Sequence, residues 1–131
     1  MTPIKTGLLG LAAAIVAIAS PAATAEQRAF DTKAFAQAQQ QNRPILVDVY
    51  ADWCPTCKAQ APIVGEAIKA PEFKNLVVFK LNFDTQKPDW VNLGVRRQST
   101  LIAFKGAKET GRSVGDTNPE SIARLVGTTV R

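Results

Sequence analysis

With 131 residues, no histidine and only two cysteines, the chain excludes several chemistries before any pattern is read. A Cys-His or Ser-His catalytic pair needs an imidazole, and two cysteines do not close a four-ligand zinc site within one chain. The formal net charge is +5, but only Arg96-Arg97 are adjacent basic residues and no aromatics interleave them. Such an excess reads as solvated surface, so no nucleic-acid partner is expected.

At the N-terminus, Lys5 precedes an apolar run from Gly7 to Ala19 and then Ser-Pro-Ala-Ala-Thr-Ala. This reads as a secretory signal over residues 1–25, with Ala23-Thr24-Ala25 as the small-x-small cleavage site. As a helix the run would reach about 20 Å against a hydrocarbon core of about 30 Å, and Pro21 interrupts its extension, so cleavage is preferred over an uncleaved anchor. The expected mature protein, residues 26–131, is one domain with one core, periplasmic or secreted.

In the mature segment, Asp31 is placed to cap a helix over 32–41. Ile45 to Tyr50 is short and β-branched and reads as a buried strand with Asp48 as its anomaly. A helix follows the cysteines to about Ala70, with Cys57, Ala61, Val64 and Ile68 on one face and Pro62 expected to kink it. Leu76–Phe83 reads as a second buried strand containing Lys80, and Pro88–Leu93 as a short helix ending at Gly94. Thr100–Phe104 is a third strand, and 105–111 holds a turn before an edge strand at Arg112–Val114. Pro119 opens a last helix to about Val126, with Gly127 past its end. Helix-separated strands imply parallel pairing and the last two strands a hairpin, giving an α/β fold with a mixed sheet between helices.

Both cysteines lie in Trp53-Cys54-Pro55-Thr56-Cys57-Lys58, directly after the Asp48 strand. A disulfide closing so short a loop is a poor staple, so in an oxidising compartment the pair reads as redox-active. Cys54 at a helix start lies beside unpaired N–H groups and the positive dipole end, which favours its thiolate. Exposed Cys54 is thus the expected nucleophile, and inward Cys57 the thiol that resolves the mixed disulfide. Asp48 is the candidate base for Cys57, because a carboxyl in an apolar site can take a proton near neutral pH. The competing reading is a strand-end aspartate paired with a backbone N–H. Lys80 is the candidate charge partner.

These residues resemble the active-site segment of the thioredoxin family: the strand aspartate, Tyr50-Ala51-Asp52-Trp53 before the first cysteine, Lys58 after the second, and then Pro62, Lys80 and Gly115. The likeness covers about residues 30–126 and implies a thioredoxin fold, a central mixed sheet of about four to five strands flanked by helices. It also implies thiol:disulfide exchange without a cofactor, by a monomer acting on protein thiols and disulfides. Tyr50–Cys54 is also similar to the C-terminal domain of transmembrane thiol:disulfide interchange proteins, which suggests an upstream redox partner such as a membrane thiol transporter. A substrate groove is implied at Trp53, Pro55, Thr56, Ser99, Thr100 and Gly115.

Two departures matter. Pro55-Thr56 replaces the family's Gly-Pro between the cysteines, which leaves the direction of electron flow open, with reduction slightly favoured. Ser99 replaces the family's cis-proline, and a non-proline cis bond costs about 2.5–4 kcal/mol, so a trans Gln98–Ser99 bond is expected. Ser99 brings a hydroxyl and an N–H to the loop facing the sulfurs, able to bind a thiolate, alter the groove or admit a metal. The alternative function is therefore a thiolate module for a soft metal or an iron–sulfur cluster, against which stands the lack of methionine and histidine in the mature chain.

Overall fold

A computed structural model describes residues 2–4, 7, 10–20 and 24–131. Lys5, Leu8, Leu9, Pro21 and Ala23 of the expected leader lie outside the described residues. The described residues before Thr24 carry no secondary structure and are exposed, and among the described residues no helix is long and apolar enough to cross a membrane.

In chain order the elements are β1 (Glu26–Ala29), α1 (Thr32–Gln40), β2 (Pro44–Tyr50), α2 (Pro55–Ala67), a 3-10 turn (Pro71–Phe73) and β3 (Val77–Asn82). Then come α3 (Lys87–Asn92), β4 (Thr100–Lys105), β5 (Lys108–Val114) and α4 (Pro119–Gly127). The strands form one five-stranded mixed sheet in the order β1-β3-β2-β4-β5. β3 pairs in parallel with β1 and β2, whereas β4 runs antiparallel to both β2 and β5.

The antiparallel β2–β4 pairing corrects the expectation that every helix-separated strand is parallel. A six-residue α3 advances only about 9 Å, less than half the roughly 20 Å of a six-residue strand, so it does not return the chain to the sheet's far end. β4 therefore starts at the end of the sheet where β2 and β3 finish, and runs back along β2. That reversal brings Ser99, just before β4, to the end of the sheet where β2 delivers the cysteines.

Other elements differ in detail. β1 was not expected: Glu-Gln-Arg-Ala is exposed at all four positions and has no apolar alternation, so only pairing with β3 makes it a strand. β5 begins at Lys108, because the turn needs only Gly106-Ala107; Gly106 sits at φ +59° against Asn42, where a Cβ would lie 2.4 Å from Oδ1. α2 runs through Pro62 and stops at Ala67, and α4 includes Gly127. Asp31 caps α1 by accepting the Ala34 N–H at 2.7 Å, and Asn118 caps α4 by accepting those of Glu120 and Ser121.

Strand alternation divides the core between the two faces of the sheet. Ile45, Val47 and Val49 join a cluster with Phe30, Phe35, Phe79 and Phe104 under α1, while Leu46 joins Val64, Ile68, Ile122 and Val126 under α2 and α4. By the same period Asp48 falls on the α2 face. The Phe35 ring lies 5.3 Å from Phe30, 5.8 Å from Phe79 and 5.3 Å from Phe104, centre to centre. Phe35→Ala is expected to cost about 3–5 kcal/mol in urea unfolding; a loss below about 1 kcal/mol would show that this cluster does not hold α1 to the sheet.

Candidate active site

β2 ends at Tyr50, a short turn carries Ala51 to Trp53, and α2 starts at Pro55, whose missing N–H is not needed in a first turn. Cys54 is consequently the N-cap of α2: its backbone is extended and its Sγ accepts the Cys57 N–H at 3.1 Å. Cys54 and Cys57 are joined as a disulfide. The expectation of an exposed Cys54 is corrected, since Cys54 is 1% exposed and Cys57 8%. Ala51, Tyr50 and Phe83 pack against the two cysteines, and Ser99 approaches both sulfurs.

The Ser99 Oγ lies 3.2 Å from Cys54 Sγ and 3.3 Å from Cys57 Sγ. A disulfide carries no S–H, so the hydroxyl is the donor. Among the described residues no peptide bond is cis, and Ser99 sits at φ +61°, a left-handed conformation that costs a non-glycine residue about 1–2 kcal/mol. Its N–H, expected to be free for the sulfurs, instead donates to the Val49 carbonyl at 2.8 Å. Its carbonyl accepts the Gly115 N–H at 2.9 Å and the Gln60 side-chain amide at 3.2 Å. Gly115, at φ +69°, turns the end of β5 under this loop.

The rest of the expected groove divides. Trp53 is 57% exposed, with its indole N–H on Asp84 at 2.9 Å; Pro55 and Gly115 are also exposed, and Thr56 is half-buried. Thr100 is buried, its hydroxyl held by the Arg97 carbonyl, at a cleft of about 270 Å³ shared with Arg96, Arg97 and Val114.

Behind the disulfide, Asp48 and Lys80 are register partners on β2 and β3, with Nζ 2.5 Å from the carboxylate. The Asp48 side chain is 5% exposed and that of Lys80 30%; Lys80 Nζ also lies 4.9 Å from the Tyr50 ring centre. The strand-end reading of Asp48 gives way to this ion pair. A cleft of about 160 Å³ lined by Tyr50, Asp52, Cys57, Ala61 and Lys80 places Cys57 and the lysine on one space with room for water.

Two residues at this end of the fold were not foreseen. Ala61, read as part of the buried face of α2, is exposed, and Gln60 is buried in its place at 1%. The signal was present: Gln60 follows Cys57 by three residues, on one helix face. Asp116, just before α4, accepts the Ser121 hydroxyl and the Asn118 N–H, and these hold its carboxyl below the usual range.

A protein-family model described as Thioredoxin matches residues 26–128. Thioredoxin from Chlamydia muridarum is 38% identical over 82 residues, covering 63% of this chain and 78% of that protein. Thioredoxin Asp f 29 from Aspergillus fumigatus is 31% identical over 97 residues, covering 73% and 87%. Among solved structures, Trxlp from Edwardsiella tarda EIB202 is 42% identical with a TM-score of 0.75, covering 77% of this chain and 98% of that one. These similarities favour disulfide exchange over the soft-metal or iron–sulfur alternative.

The lowered Asp116 carboxyl has a definite consequence for pH dependence. A depressed folded-state pKa gives stability above the unfolded carboxylate range, lost as pH falls through the folded value. Asp116→Asn is therefore expected to be less stable than the parent at about pH 7, with the gap closing by about pH 2 in urea titrations. A gap independent of pH would assign the loss to packing rather than to charge.

Proposed function

This chain belongs to the thioredoxin family, and its Cys54–Cys57 pair makes it a thiol:disulfide oxidoreductase; we propose that it works outside the cytoplasm as a reductase of protein disulfides, re-reduced by a thiol transporter in the membrane. The observation that carries the reading is the Cys54–Cys57 pair at the start of α2, with Cys57 and Lys80 on one cleft and Asp48 paired to that lysine.

In the reducing direction, the Cys54 thiolate attacks one sulfur of a substrate disulfide, forming a mixed disulfide and releasing the first substrate thiolate. Cys57 then loses its proton through the cleft to the Lys80–Asp48 pair. Its thiolate attacks Cys54 Sγ, and the second substrate thiolate leaves with the second electron of the pair. The product is the Cys54–Cys57 disulfide seen here. Exposed Trp53, Pro55 and Gly115, with half-buried Thr56, form the rim on which a substrate segment rests.

Export is supported by the Gly7–Ala19 run and the Ala23-Thr24-Ala25 site, and by β1 beginning at Glu26, so that cleavage there leaves every strand intact. Reduction is supported by similarity to proteins named thioredoxin. The transporter is chosen because an exported reductase needs electrons delivered across a membrane.

Cys57→Ser is expected to trap covalent mixed disulfides with a model protein disulfide, and Cys54→Ser to form none, by non-reducing gel electrophoresis. Exchange that survives both substitutions would end the mechanism. Mass spectrometry of the protein from a cell envelope fraction is expected to give Glu26 as the first residue; an intact N-terminus in the cytoplasmic fraction would remove the export reading.

A further inference from the structure

Gln60 is a polar side chain where the α2 face turns into the core, three residues after Cys57 and 1% exposed. An amide in such a place is costly unless its polar atoms are paired. Its Nε2 donates twice, to the Ser99 carbonyl at 3.2 Å and to the Asp116 carbonyl at 2.8 Å, while its Oε1 is buried without a partner. Leucine or methionine would fill the same volume and leave no orphaned acceptor. The amide therefore costs stability at one end, and what it holds at the other end is two loop carbonyls.

One carbonyl is that of Ser99, whose hydroxyl lies against both sulfurs, and the other is that of Asp116, next to the Gly115 that donates to the Ser99 carbonyl. Ser99 occupies its left-handed conformation because three contacts fix its backbone: Val49 from β2, Gly115 just after β5 and Gln60 from α2. Residues in sparsely populated conformations persist only when their surroundings over-determine them. Of the three contacts, Gln60 is the one made by a side chain, and the one that ties Ser99 to the helix bearing both cysteines.

We infer that Gln60 is a positioning residue: it holds the Ser99 hydroxyl between the two sulfurs, and through that hydroxyl it sets how readily the reduced pair forms its thiolate. The inference rests on the Ser99 hydroxyl donating to the thiolate as it does to the disulfide. When the pair is reduced, the hydroxyl follows whichever sulfur carries the charge, with no need for the loop to move. Loss of the Gln60 amide leaves Ser99 held by backbone contacts alone, free to relax away from positive φ and take its hydroxyl off the sulfurs.

The test is an ultraviolet titration of thiolate absorbance in the reduced full domain, comparing parent, Gln60→Met, Ser99→Ala and the double variant. The readout is the pH of the first step of the dithiol, since the two thiols titrate as a coupled pair. Loss of a hydrogen bond to a charged group is expected to raise that step by about one pH unit in Ser99→Ala, and by a similar amount in Gln60→Met. The double variant is expected to shift no further than Ser99→Ala, because both act through one hydroxyl. Gln60→Asn, which keeps the amide but shortens its reach, gives the same comparison if Gln60→Met does not fold. If Ser99→Ala shifts the step and the folded Gln60 variant does not, or if the two shifts add, the role of Gln60 is overturned while that of Ser99 stands. If Ser99→Ala shifts nothing, both are overturned, and the trapping behaviour of Cys54 and Cys57 is untouched.

Discussion

The Ser99 hydroxyl lies within hydrogen-bond distance of two sulfur atoms, and four elements must meet for it to do so. β2 supplies the Val49 carbonyl that takes the Ser99 N–H, and the end of β5 supplies the Gly115 N–H. α2 supplies the cysteines and Gln60, and β4 begins at the next residue, Thr100. The short α3 makes this meeting possible by sending β4 back along β2. Ser99 meets the disulfide beside Ala51, Tyr50 and Phe83, and the disulfide is buried.

The second constraint is electrostatic. Asp48 and Lys80 are adjacent across β2 and β3, with the aspartate buried and the lysine half-buried beside Tyr50. Removing one member of such a pair leaves an uncompensated charge in a low-dielectric place, which costs more than the pair contributes. An apolar pair of similar volume would fill the sheet more cheaply, so stability alone does not account for the ion pair, and the proton-transfer role proposed for it agrees with the cleft that Cys57 and Lys80 share.

Much of this was legible in the sequence because it rests on local pattern. The C-x-x-C after a β-branched strand, Asp31 as a cap, Pro119 at the start of the last helix, and Asp48 with Lys80 on buried strands all follow from spacing and residue type. β1 was not legible, since its four exposed residues become a strand only by pairing with β3. The direction of β4 was misread because pattern gives the presence of α3 but not whether so short a helix crosses the sheet. Cys54 was expected to be exposed because helix-start chemistry says nothing of a hydroxyl 45 residues away in sequence. Gln60 carries no reading in the sequence, although its spacing from Cys57 puts it on the buried face.

On the inference drawn above, Ser99 stabilises the reduced, thiolate form of the pair. A hydrogen bond to a charged group contributes about 1.5–3 kcal/mol, and for a two-electron couple about 30 mV corresponds to 1.4 kcal/mol. The most direct measurement is the Cys54–Cys57 reduction potential in the parent and in Ser99→Ala, equilibrated against a glutathione buffer at neutral pH. The potential of Ser99→Ala is expected to be more negative by about 30–60 mV; an unchanged or less negative potential would contradict the role given to the hydroxyl.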